Sequence, residues 1–260
     1  MQKYLLTILL LILPLYDLSA QSAEEKGLQI AVEADKRNTG WRDQQADFRM
    51  ILRNKNGQES IRELRIRTME VENDGDRSLT TFETPRDIKG TALLSYTHAL
   101  EPDDQWLYLP ALKRVKRIAS ANKSGPFMGS EFAYEDLTSN EVEKYTYKWL
   151  RDDFVDGKET FVVERIPAYK YSGYTRQVAW IDKNIYRPLK VEYYDRKNKL
   201  LKTLIISGYK QFLDQYWRAE SMHMVNHQTE KETVLEWNNY QFNNNFTDRD
   251  FDRDTLKRAR

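Results

Sequence analysis

Read for polar and apolar positions, the chain changes period once. Over residues 23–37, Leu28, Ala31, Val32 and Asp35 fall at the spacing of one helix face. Lys36 and Arg37 sit where a helix dipole favours cations, and residues 38–40 end the pattern. One amphipathic helix is predicted there. From residue 46 the period becomes two. Over 46–54, Phe48, Met50 and Leu52 point one way and Asp47, Arg49 and Arg53 the other. Over 59–72, Leu64, Ile66 and Thr68 alternate with Glu63, Arg65 and Arg67. Asn56-Gly57 between them predicts a hairpin, because both residues tolerate positive φ. One apolar and one wet face is the mark of an antiparallel sheet.

The alternation continues over 78–84, 91–100, 106–110, 145–149, 158–167, 177–181, 189–194, 200–209, 216–225 and 233–242. Turns are predicted at 73–76, 152–157 and 196–199, and a short terminal helix over 250–258, acidic first and basic last. The whole predicts about ten or eleven strands in a mainly β chain. No repeat or linker divides it, so a single domain over 21–260 is expected. A sheet this wide curls or splits. A large curved antiparallel sheet, a closed barrel and a sandwich all satisfy the periodicity. A membrane-spanning barrel fits poorly. Several strands fall short of the ~9–11 residues a crossing needs, and charges such as Arg65 and Arg67 crowd the polar faces.

The first twenty residues stand apart. Lys3, an apolar core over 5–15 and the small-residue site Leu18-Ser19-Ala20 predict a cleaved signal peptide over 1–20, with Gln21 the first mature residue. The apolar run is too short for an ordinary membrane span. No cysteine follows it, so a lipobox is absent, and a soluble protein exported to the periplasm of a Gram-negative bacterium is expected. With no cysteine anywhere, a disulfide-stapled scaffold is excluded and a large core must carry the stability. A formal net charge of +1 gives no global field to attract nucleic acid. Sixteen tyrosines and six tryptophans suit sheets with broad half-buried faces.

The most distinctive stretch is 105–137, QWLYLPALKRVKRIASANKSGPFMGSEFAYEDL. An aromatic strand leads into Lys113, Arg114, Lys116 and Arg117, interleaved with Leu112, Val115 and Ile118. A Gly/Ser/Asn-rich loop carrying Phe127 and Met128 follows. Side by side, these would suit a ligand with a greasy tail and an anionic head; a solvated basic hairpin and an ordinary loop would read the same way. The W-x-Y-x-P element, KRVKRI and SGPFMGSEFAYEDL together resemble the outer-membrane lipoprotein-sorting proteins, a branch of the LolA/LolB-like superfamily of periplasmic lipoprotein carriers. That resemblance implies a half-barrel with a few helices covering its concave face. It also implies an acyl-chain cargo, and it brings in an RND-type inner-membrane exporter as a partner. The chain is longer than the best-known carriers, so the cargo is open between lipoprotein anchors and free lipids.

No catalytic set is visible. Only His98, His223 and His227 are present, and the last two lie too far apart on one strand to grip a metal together. No G-x-S-x-G, H-E-x-x-H or phosphate loop occurs. Asp152, Asp153, Asp156 and Gly157 lack the spacing and closing Glu of a calcium loop. The expected function is therefore binding, with neither enzyme activity nor cofactor. Candidate lipid-lining residues are Phe48, Met50, Leu52, Leu64, Ile66, Trp106, Tyr108, Leu109, Met222 and Met224, the methionines because they adapt to irregular partners. Phe127 and Met128 are expected to form a loop gate. Lys113, Arg114, Lys116 and Arg117 are expected to meet headgroups or a partner. A lipid carrier delivering acyl chains to or from the outer membrane is the first reading. An envelope regulatory or interaction module with a lipid-sensing pocket is the alternative.

Overall fold

The computed structural model describes residues 21–258 apart from Asn73, and the expected signal peptide lies outside the described residues. Its elements are α1 (Ala23–Lys36), β1 (Asp43–Arg53), β2 (Glu59–Met69), β3 (Arg77–Thr84), β4 (Ala92–Tyr96), β5 (Asp104–Leu109) and β6 (Arg114–Arg117), then β7 (Tyr145–Val155), β8 (Lys158–Pro167), β9 (Arg176–Asp182), β10 (Pro188–Tyr194), β11 (Leu200–Ser207), β12 (Lys210–Phe212), β13 (Tyr216–Arg218), β14 (Ser221–Asn226) and β15 (Lys231–Phe242). Thirteen strands form one open sheet in the order β6-β5-β4-β3-β2-β1-β15-β14-β11-β10-β9-β8-β7, and β12 and β13 pair separately.

The chain enters this sheet at its middle. It runs by hairpins out to the edge at β6, crosses over residues 118–144 to the opposite edge at β7, and returns inward to β15. There β15 pairs antiparallel with β1, placing Phe48 opposite Trp237 and Met50 opposite Leu235. The Phe48 and Trp237 rings stack with centroids 4.3 Å apart. The alternation read along β1 and β2 therefore belongs to two strands beside the middle strand β15, whose apolar sides share one inner face. Phe48, Met50, Leu64, Phe82, Leu93, Val191, Leu204, Met224 and Leu235 meet there in a single core. At the β1–β2 hairpin only Gly57 takes a positive φ, +77°, while the Asn54 side chain accepts hydrogen bonds from the Asn56 and Gln58 amides.

The helix is real but presents a different face from the expected one. Leu28 and Val32 are 47% and 49% exposed, whereas Gly27 and Ile30 are buried. A glycine decides this. The helix lies so close on β7 that a Cβ at Gly27 would stand 2.7 Å from the Trp149 amide nitrogen. Ser22 and Glu25 cap its start reciprocally. The expected terminal helix over 250–258 is instead two 3₁₀ turns, Asp248–Phe251 and Thr255–Lys257. They lie on the outer face of β3–β5, where Phe251 and Leu256 are fully buried beside Leu79, Ala92 and Leu94. The segment read as one strand over 216–225 breaks into β13 and β14. The strand expected over 145–149 runs on to Val155.

Gly27→Ala should raise helix propensity by roughly 1 kcal/mol. The backbone collision outweighs that, since overpacking costs about 1–3 kcal/mol. Thermal denaturation should show a net loss of stability for Gly27→Ala, a larger one for Gly27→Val, and almost none for Leu28→Ala.

Candidate functional site

The crossing segment behaves as a strap. Phe127 donates its amide to the Phe132 carbonyl at 2.8 Å, closing a small loop that drives both rings into the inner core. Phe127 is 1% exposed and packs against Phe82 and Tyr134, with ring centroids 5.7 and 5.6 Å away. Arg62 donates to the Met128 carbonyl at 2.6 Å. Two neighbouring carboxylates then tie the strap to the far half of the sheet. Glu135 accepts from the Tyr169 hydroxyl at 3.0 Å, the Ser172 hydroxyl at 2.8 Å and the Gly173 amide at 2.8 Å. Asp136 accepts from the Ala133 amide at 2.7 Å and the Tyr174 hydroxyl at 2.9 Å, and Lys202 lies 3.4 Å from it. Burial pushes the Glu135 carboxyl up, and these donors hold it down only in part. Further along, Asp103 pairs with the buried Lys123 at 3.1 Å and with Lys144.

Where the strap ends, the inner face stays hollow. A cavity of about 1350 Å³ opens between α1, both halves of the sheet and the β12–β13 ribbon. It exceeds the roughly 300–1,000 Å³ usual for small-ligand pockets. Ala46 and Ile66 from one half face Val163, Ala179, Ile181, Met222 and Trp237 from the other, and Ala31 and Ala34 of α1 roof them. Polar groups gather toward one side. Glu70 spends its oxygens on the Gly40 and Arg42 amides at 2.9 and 2.6 Å, and Glu141 accepts from the Ser139 hydroxyl at 2.6 Å. Burial, reinforced by Glu141 and Glu70, raises the Asp76 carboxyl to about 8. Burial also raises Asp35, with Glu143 adding to it. Arg165, Arg187 and Arg218 line the same space.

The candidate residues separate into distinct places. Ile66 and Met222 line the cavity. Phe48 lies behind its wall, stacked on Trp237. Met50, Leu64 and Met224 are packed into the solid part of the core, with Leu52 and Leu109 at its margin. Trp106 and Tyr108 correct the expected alignment of β5. They point to the outer face under the C-terminal turns, where Tyr96 meets Trp106 edge-on at 5.1 Å. Their inner-facing neighbours, Gln105 and Leu107, are buried, at 0% and 5% exposure. Phe127 is a core plug and Met128 a tethered, half-buried residue, so their placement is not that of a free gate. Lys113, Arg114, Lys116 and Arg117 are exposed on and beside the edge strand β6, away from the cavity, with Arg117 paired to Asp104. His223 meets Glu232 at 2.9 Å and His227 meets Thr203 at 2.7 Å. The cavity residues missed in the sequence, Ala179, Ile181 and Trp237, had the right alternation but nothing to distinguish them from core.

A solved domain from Vibrio parahaemolyticus, provisionally assigned to outer membrane lipoprotein sorting, is 56% identical and superposes with a TM-score of 0.89, covering 90% of this chain and 99% of that one. The chain belongs to the outer membrane lipoprotein-sorting protein family. A family model with the description "-like: Uncharacterized protein" matches residues 74–258. Within this fold, a DUF1329 family protein from Desulfovibrio piger is 28% identical with a TM-score of 0.86, covering 90% of this chain and 99% of that one. A LolA superfamily protein from Nitrosomonas europaea has the same fold at 19% identity and a TM-score of 0.71, covering 91% and 100%. The comparison with curated proteins finds no match. The open sheet is thus the fold of that LolA superfamily protein, and no helix among the described residues is long and apolar enough to cross a membrane.

Two outcomes follow for this site. Phe127→Ala should cost about 3–5 kcal/mol in chemical denaturation, the figure for a packed core ring. A mobile gate residue would lose almost nothing. Asp76 binds its proton more tightly folded than unfolded, so its contribution is fully present below pH ~4 and is lost as pH rises through about 8. Stability measured from pH 4 to 8 should fall less in Asp76→Asn than in the wild type.

Proposed function

We propose that this protein is a periplasmic carrier that shelters acyl chains of lipoproteins or lipids and delivers them to or from the outer membrane. The reading is supported chiefly by the large cavity with apolar walls on the inner face of a LolA-like half-barrel. Each methylene moved out of water contributes ~0.8 kcal/mol, so a diacyl or triacyl anchor stays in a membrane unless a protein surface replaces it. Ile66 and Met222, with Ala179 and Ile181, receive the chain in this reading. Phe48, Met50, Leu64 and Met224 stiffen the wall from behind. In this reading the protein is a binding protein and not an enzyme, exported by a signal peptide cleaved after Ala20, with an RND-type inner-membrane exporter as its donor.

One observation favours a second role. The edge strand β6 presents Lys113, Arg114 and Lys116 beside Leu112, which is 62% exposed. Such an edge suits an anionic membrane surface or a partner of an envelope interaction module. Reversing the charges with Lys113→Glu and Arg114→Glu should then reduce membrane or partner contact while leaving lipid occupancy unchanged.

Native mass spectrometry of the protein purified from its own envelope should reveal a bound lipid or acylated peptide. Ala179→Trp, which narrows the cavity, should reduce that occupancy. Wild-type protein carrying no lipid, and showing no thermal shift with added lipids, would overturn the carrier reading.

A further inference from the structure

Carboxylates and arginines both line the cavity, and two of the arginines touch no acid among the described residues. On the sheet's outer surface four arginines are paired: Arg49 with Glu236, Arg53 with Glu232, Arg65 with Asp47 and Arg77 with Asp248. Inside, Arg187 and Arg218 have no carboxylate in ion-pair contact among the described residues. Arg218 donates only to neutral oxygens, those of Gln44 at 2.7 Å, Asn38 at 3.0 Å and the Trp217 carbonyl at 3.1 Å. Arg187 is more exceptional, since its Nε is fully buried with no acceptor. The indole nitrogen of Trp237, on the same cavity wall, is likewise buried without one. A buried donor left unmade costs about 1–3 kcal/mol, more when charged, so two such groups around one hollow space need an explanation.

None of the acids lining the cavity is in ion-pair contact with either guanidinium among the described residues. Glu70 is committed to two backbone amides and Glu141 to Ser139. Asp76 is raised to about 8 and is mostly neutral at pH 7. Asp35 acts on Arg187 through space but lies outside ion-pair distance. The two guanidiniums also oppose each other: burial first, and then Arg187, lowers Arg218 to about 10. An anion placed between them would relieve desolvation and repulsion together.

Resting on the carrier reading, we propose that the cavity selects acidic amphiphiles, whose anionic head is drawn inside to Arg187 and Arg218 while the chain lies along Ile66, Ala179, Ile181 and Met222. The head is a carboxylate or a phosphate monoester, since both offer the several acceptor oxygens that two guanidiniums and an indole N–H can share. The exposed basic edge at β6 is not needed for this selection.

Equilibrium dialysis of the full mature chain against radiolabelled palmitate, hexadecyl phosphate and 1-hexadecanol tests it, since the three share one chain length and differ in the head. At least one acid should bind about tenfold or more tighter than the alcohol, and whichever acid binds tighter identifies the head. Arg187→Gln should bring the acids to the level of the alcohol without changing alcohol binding, and Arg187→Lys should retain the preference. Circular dichroism melts confirm that each variant is folded. Equal binding of acids and alcohol by the wild type, or an unchanged preference in folded Arg187→Gln, would overturn the inference while leaving the carrier reading intact. Binding of none of the three would overturn both.

Discussion

Everything in this fold depends on how a pair of buried carboxylates is satisfied. An open sheet of thirteen strands has an apolar inner face far larger than one helix can cover. The strap over 118–144 supplies the cover, and Glu135 and Asp136 fix where it lies. A carboxylate taken out of water is costly unless donors replace the lost hydration. Here the donors come from the segment leading into β9, through Tyr169, Ser172, Gly173 and Tyr174, and from Lys202 on β11. Those elements belong to the half of the sheet opposite the strands from which the strap departs. The bonds therefore hold the two halves at a set separation, and the rings of Phe127 and Phe132 fill the space between them.

That filling is uneven, and the unevenness creates the site. At the strap the inner face is solid, from Met50 and Leu64 through Phe82 to Met224. Toward α1 the side chains on the facing strands become smaller, with Ala46, Val163 and Ala179, and the space stays open. The helix sits over this region because Gly27 lets its backbone approach β7. The outer face of β3–β5 is covered separately by Phe251 and Leu256.

The charged groups follow the same division. Exposed pairs along the outer surface are screened and contribute little to stability. Arg187 and Arg218 on the cavity wall are largely withdrawn from water and touch no carboxylate among the described residues, and electrostatic interactions are much stronger there. A pocket of this kind is apolar along most of its length and demanding at one end.

The residues by themselves determined the mainly β architecture, the N-terminal helix, most strand positions and, through the 105–137 motif, the family. Alternation is a local property of the chain, and so it survives folding: Phe48, Met50, Leu64 and Ile66 all face inward. The alternation could not say which of two faces β5 turns inward, and Trp106 and Tyr108 lie on the outer one because the C-terminal turns, more than 130 residues away by number, bring Phe251 and Leu256 to cover them. Nor could it separate a residue lining a hollow from one packed solid. Met222 and Met224 are alike in the sequence, yet one borders the cavity and the other is fully buried. Phe127 looked like a gate because its loop is rich in small residues, and only the contacts with Phe82, Tyr134 and the Arg62–Met128 tether make it a plug. Cavity, plug and unpaired arginines are set by which distant segments meet, and that is decided only when the two halves of the sheet close on the strap.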